Sequence, residues 1–242
     1  MNNIKLYQGD CLEVMKNIPD KSVDMILCDL PYGTTQCKWD TIIPFDKLWE
    51  QYNRIIKDNG SIVLFGSEPF SSALRMSNIK NFKYDWVWDK VKPSGHLNAK
   101  KIPMKQHEVI SVFCNGKLKY YPIMTEQKER ISKNYLTNKT DLFGKEVEVG
   151  RKTNQKYPKS ILMFSNARQK GKLHPTQKPI ELLEYLIKTY TVEGEMVLDN
   201  CMGSGSTGVA CVNTNRRFIG IEMDENYFKV AKERIENAYN EL

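Results

Sequence analysis

A short apolar run, Glu195-Met196-Val197-Leu198-Asp199, leads into Asn200-Cys201-Met202-Gly203-Ser204-Gly205-Ser206-Thr207-Gly208 and then a helix through Val212. Gly203, Gly205 and Gly208 have the G-x-G-x-x-G spacing, which allows a tight turn and a close ligand approach at a helix N-terminus. A strand joined to a helix in this way belongs in an open parallel sheet, with the turn at its carboxyl edge. Arg217 to Glu222 is the next strand. Glu222 ends it with a carboxylate suited to the two hydroxyls of an adenosine ribose.

The rest of the chain keeps the same alternation. Ile4 to Tyr7 reads as a strand ending at Gln8-Gly9-Asp10, and Cys11 to Asn17 as a short amphipathic helix. Phe45 to Lys57 has helical spacing of apolar residues and stops at Asn59-Gly60. Ser61 to Phe65, Tyr84 to Trp88 and Glu108 to Phe113 read as strands, Ile180 to Tyr190 as a helix, and Asp224 onward as a charged helix. Strands alternating with helices predict a doubly wound, mostly parallel α/β sheet. From Asn115 to Lys172 the periodicity fades, and only Ser160 to Phe164 looks strand-like. Trp39, Trp86 and Trp88 flank apolar elements and read as core.

Asp29-Leu30-Pro31-Tyr32 follows Ser22 to Cys28, a run apolar enough for a buried parallel strand. The strand delivers Asp29 and Tyr32 to its carboxyl end. Pro31 donates no hydrogen bond and holds Leu30 extended, leaving the Leu30 carbonyl free beside the Asp29 carboxylate. Two acceptors and an aromatic face on one rigid turn suit a planar base with an exocyclic amino group. The glycine turn alone does not choose a ligand, because nicotinamide, flavin and S-adenosylmethionine proteins share it.

Charge is unevenly spread. Residues 92–178 hold 19 Lys+Arg and 6 Asp+Glu, a local net of +13 against +7 for the whole chain. Such a concentration is the footprint expected of a nucleic-acid contact, and a solvated lysine-rich loop gives the same count. The basic stretch Asn98 to Glu108 has the same two readings. No apolar run approaches the roughly 20 residues that span a bilayer, and Met1-Asn2-Asn3-Ile4-Lys5 lacks a signal-peptide layout. The six cysteines form no Cys-x-x-Cys pair, and no zinc or other metal site is visible. The chain reads as cytoplasmic, without a membrane partner.

Together these pieces resemble the DNA amino-methyltransferases, which methylate exocyclic nitrogens of adenine or cytosine. Asp29-Leu30-Pro31-Tyr32 matches the family's Asp/Asn/Ser-Pro-Pro-Tyr motif, with Leu30 replacing the first proline. Asp199 to Thr207 matches its cofactor loop, and His174 to Pro179 the segment before that loop in the permuted β arrangement. The resemblance implies a seven-stranded Rossmann-like methyltransferase sheet. It divides the chain into a catalytic part (1–114), an inserted irregular basic target-recognition region (115–172) and a cofactor-binding part (173–242). S-adenosylmethionine is the implied cofactor. Asp199, Gly203, Gly205, Ser206 and Thr207 would cradle its methionine part, with Cys201 and Ser204 in the same loop and Asp29 bordering it. Glu222 would hold the ribose, Asp10 would accept from the adenine amino group, and Thr176 and Lys178 would lie near the carboxylate. Asp10 also fits a plain turn residue, and His174 a structural helix entry. Asp29, Leu30, Pro31 and Tyr32 would act on an adenine N6 flipped from double-stranded DNA. The alternatives are a cytosine-N4 or RNA methyltransferase, or a non-catalytic nucleotide- or nucleic-acid-binding module. A homodimer and a cognate restriction endonuclease are compatible partners that the sequence does not decide.

Overall fold

The computed structural model describes residues 3–33, 41–133, 150–166 and 177–241. Trp39, Lys170, Lys172, His174 and Thr176 lie outside them. Ten strands occur among the described residues: β1 (Ile4–Gln8), β2 (Val23–Cys28), β3 (Ile56–Gly66), β4 (Phe82–Ser94), β5 (Lys105–Phe113), β6 (Thr125–Lys133), β7 (Gly150–Lys156), β8 (Ile161–Met163), β9 (Met196–Asp199) and β10 (Arg217–Glu222). The helices are α1 (Cys11–Met15), α2 (Phe45–Ile55), α3 (Phe70–Ser77), α4 (Ile180–Tyr190), α5 (Ser206–Asn213) and α6 (Glu225–Asn240).

Eight strands form one sheet in the order β1-β10-β9-β2-β3-β5-β4-β8. The pairs from β1 to β3 are all parallel. β5 runs antiparallel to β3 and β4, and β8 is parallel to β4. The sheet is therefore eight-stranded rather than seven-stranded. The extra strand is the short run at Ile161, which pairs with Val87 to Asp89 on the long strand β4.

β2 shows why the sheet is covered on both faces. All six of its residues are buried. Successive side chains point to opposite faces, so Met25 and Leu27 join one core with Leu182, Leu186 and Ala210. Ile26 and Cys28 join the other with Leu48, Tyr52, Ile55 and Leu74. Asp24 is also buried, and its charge is met by Lys57 Nζ at 2.7 Å and by the Met196 amide at 3.0 Å. That last bond helps to seat β9 beside β2.

Residues 122–159 form a compact unit of their own, apart from 1–121 with 160–242. Within it β6 and β7 pair antiparallel, with Thr125 opposite Lys156. The expected irregular insert thus contains a regular ribbon. Its sequence hides this because TEQKERISK and GRKTNQK show no apolar alternation, the main strand signal.

Candidate active site

The carboxyl ends of the parallel strands open on a cavity of about 630 Å³. Asp10, Asp29, Leu30, Pro31, Tyr32, Lys178, Asp199, Cys201, Gly203, Ser204, Ser206, Thr207 and Glu222 all line it. Two residues of the expected set are not among them. Thr176 lies outside the described residues, and Gly205 is absent from the lining.

The β9 turn is held from several sides. Asp199 is buried, and its carboxylate accepts from Thr207 Oγ1 at 2.6 Å and from the Cys201 amide at 3.1 Å. Burial pushes its acid up to about 6; the two hydrogen bonds oppose the rise, and the nearby Asp29 charge adds to it. Glu222 accepts from the Gly203 and Asp224 amides, each at 2.8 Å, and burial raises its acid as well. Ser204 and Ser206 turn toward Arg234, whose Nη1 donates to their hydroxyls at 2.9 and 3.4 Å. Asn200 accepts from the buried Tyr52 hydroxyl at 2.5 Å. The Cys201 thiol meets those of Cys11 and Cys28, which push it well up. β1 lies beside β10, and the Gly9 amide donates to the Glu222 carbonyl at 2.9 Å, so Asp10 reaches the same edge. Asp10 Oδ1 caps α1, accepting from the Leu12 and Glu13 amides. It is a turn residue that also faces the cavity.

The three glycines serve different needs. Gly203 has φ +51°, and a Cβ there would meet nothing within 4 Å, so the backbone is bare toward open space. At Gly205, with φ +79°, a Cβ would come within 2.9 Å of Ala231 on α6, so the position leaves no room for a side chain. At Gly208 a Cβ would lie 2.3 Å from Ile235 Cδ1 and 2.9 Å from the Phe218 ring, both fully buried. Gly208→Val is therefore expected to destabilise the protein by about 2–3 kcal/mol, since overpacking outweighs any gain in helix propensity. Thermal melting without cofactor checks this; an unchanged Tm would mean that α6 retreats freely.

On the β2 side, Asp29 has both carboxylate oxygens engaged. Tyr32 Oη donates to Oδ1 at 2.5 Å, and Lys178 Nζ donates to Oδ2 at 2.5 Å. Burial and the Asp29 charge hold the Tyr32 phenol well above its usual range, so it stays a donor. Its ring lies 5.0 Å from that of Phe70. The expectation for Lys178 named only a cofactor carboxylate. The structure sets its ammonium on the cavity wall between two carboxylates of the protein, Asp29 and Glu108, the latter at 3.4 Å. The Phe65 and Trp88 rings lie 5.0 and 5.9 Å from it.

Glu108, Lys90, Phe65 and Trp88 were not anticipated at the site. β5 runs against β3, so its early residue Glu108 stands just past the end of β3, where Gly66 pairs with Val109 beside Phe65. β4 brings Trp88 opposite Glu108, and Lys90 Nζ donates to Glu108 Oε1 at 3.2 Å. One signal was present: a lone carboxylate opening the apolar run Glu108 to Phe113. Trp86 and Trp88 are buried as expected, although Trp88 also borders the cavity.

The fold and cavity define an α/β protein that sets a glycine-turn pocket against an Asp-Leu-Pro-Tyr acceptor turn. A family model described as DNA methylase, of the N6/N4 type, matches residues 23–233. The type II methyltransferase M2.MboI of Moraxella bovis is 28% identical over 258 residues, covering 96% of this chain and 87% of that protein. M2.DpnII of Streptococcus pneumoniae is 29% identical over 267 residues, covering 99% and 92%. Among solved structures, the complex of M1.HpyAVI with S-adenosylmethionine has a TM-score of 0.66 at 27% identity, covering 96% of this chain and 98% of that one. The cytosine-N4-specific PvuII methyltransferase shares the fold, with a TM-score of 0.67 at 20% identity and coverage of 98% and 92%. The chain belongs to the DNA methylase family. It is an S-adenosylmethionine-dependent DNA methyltransferase.

The cavity suits that cofactor. A buried carboxylate raised by desolvation, as at Asp199, gains from a cationic ligand, and Gly203 leaves room for a close approach. No helix among the described residues is long and apolar enough to cross a membrane.

Proposed function

We propose that this enzyme methylates the exocyclic N6 of an adenine flipped out of duplex DNA. The observation that carries the reading is the Asp29–Tyr32 turn. It stands on the cavity wall with the Asp29 carboxylate oriented by the Tyr32 hydroxyl at 2.5 Å. Asp10, Asp199, the Gly203 turn and Glu222 would hold the cofactor across from it. Cys201, Ser204, Ser206 and Thr207 complete that wall, and Gly205 supports it through α6.

The bound sulfonium supplies an already activated methyl group. The amino nitrogen needs help, because its lone pair is delocalised into the ring. Asp29 and the Leu30 carbonyl would accept its two hydrogens and favour a tetrahedral nitrogen. The remaining task is in-line alignment at near-attack distance. A base inside a duplex is out of reach, so it must leave the stack at a cost of a few kcal/mol. Stacking on Tyr32 would offset part of that. The basic region that includes the 122–159 unit would position the DNA and read the target. The naming of relatives as type II methyltransferases supports a cognate restriction endonuclease as the functional partner.

Adenine is favoured because the motif opens with Asp29 and because adenine offers Tyr32 the larger stacking face. Methylated DNA digested to nucleosides and resolved by mass spectrometry should show N6-methyladenine. N4-methylcytosine alone would overturn the base while leaving the chemistry intact.

A further inference from the structure

Neither cofactor binding nor acceptance of the amino group accounts for the charges gathered behind Asp29. Lys178 is buried, bonded to Asp29 Oδ2 at 2.5 Å and 3.4 Å from Glu108 Oε2. Glu108 divides its carboxylate. Oε1 accepts from the buried Lys90, while Oε2 is buried and makes no hydrogen bond among the described residues. One buried ammonium thus faces two carboxylates and is bonded to only one of them. In that position it competes with an incoming amino group, because its charge-assisted bond takes one lone pair of Oδ2 and draws off the negative charge that makes the other a strong acceptor. The Phe65 and Trp88 rings near the ammonium would keep it stabilised in a second position as well.

We propose that Glu108 is a positioning residue that receives Lys178 when the target base enters, releasing Asp29 Oδ2 for the amino group. The inference rests on the reading of Asp29 given above. Only a small shift of Nζ is needed, of about 1 Å or less to reach ordinary hydrogen-bond length. No proton changes hands: Lys178 stays an ammonium and both acids stay carboxylates. Burial by itself would push the Glu108 acid up, but Lys178 and Lys90 together hold it below the usual range. Burial likewise opposes the Lys178 charge, and Asp29 and Glu108 more than restore it.

Glu108→Gln keeps the size of the side chain and removes its charge, leaving Lys178 on Asp29. The expected result is a kcat lower by about thirtyfold, as for a misplaced reacting group, with the Kd for S-adenosylmethionine within about threefold of wild type. Glu108→Asp should recover part of the loss, which a purely structural role would not require. A wild-type kcat in Glu108→Gln overturns the proposal, as does a Glu108→Asp kcat no better than that of Glu108→Gln. A second measurement needs no variant. In a crystal of the wild-type protein with sinefungin and a duplex carrying the mapped target site, Lys178 Nζ should be bonded to Glu108 Oε2 and parted from Asp29. Finding it still on Asp29 with the base seated overturns the proposal. Undiminished turnover in Asp29→Asn would instead remove the reading of Asp29 on which the proposal rests.

Discussion

Asp29→Asn is expected to lower kcat by at least about a hundredfold, the scale of losing one preorganised transition-state contact. Binding of S-adenosylmethionine should stay within about tenfold, because the loss falls mainly on the transition state. Asparagine fits the same space, and its amide oxygen can still accept from Tyr32. Its other end is a donor, which cannot accept an amino hydrogen and repels the Lys178 ammonium. Single-turnover methyl transfer to unmethylated DNA, together with calorimetry of cofactor binding, separates the two effects. Turnover above a hundredth of wild type would remove Asp29 from the chemistry.

The second large effect concerns Asp199 and pH. Its acid is raised to about 6 by burial, above the ordinary 3.8. In the cofactor-free protein this group therefore favours folding most below about pH 4. That contribution is lost as pH rises through about 6, where the buried carboxylate must ionise. Cofactor binding has the opposite preference, because a cationic ligand is held by the carboxylate form. Affinity should accordingly rise with pH up to about 6 and fall by up to about tenfold per unit between 6 and 4. Asp199→Asn should flatten that profile and cost about 2–3 kcal/mol of binding at pH 8, equivalent to roughly 30- to 160-fold. Calorimetric titrations at several pH values check both. A profile unchanged by the substitution would show that another group controls it.

What could be read from the chain was chemistry confined to a few consecutive residues. The Asp29 turn, the Gly203 turn and Glu222 each combine a strand end with a distinctive residue or spacing, so local pattern was enough to place them. Glu108 and Lys90 were missed because they reach the cavity only through the antiparallel pairing of β5 with β3 and β4, which no short window encodes. Lys178 was placed at the site, but its partners Asp29 and Glu108 lie 149 and 70 positions away. The spacing of Gly205 identified the turn, and only packing reveals Ala231 behind it. The β6–β7 ribbon stayed hidden because neither strand has the apolar alternation that marks a buried face.

The seating of β2 between β3 and β9 has a consequence for how the molecule is made. Asp24 and Met196 are hydrogen-bonded partners separated by 172 positions. At ribosomal speeds of about 5–20 residues per second, β9 emerges on the order of 10–30 s after β2. Over that interval the flank of β2 that will take β9 stands open, on a strand whose every residue belongs in the interior. Strand edges of this kind invite pairing with other chains, and distant pairings are slow to form. The nascent polypeptide is thus catalytically mute and prone to association over the same interval, and both conditions end when β9 docks.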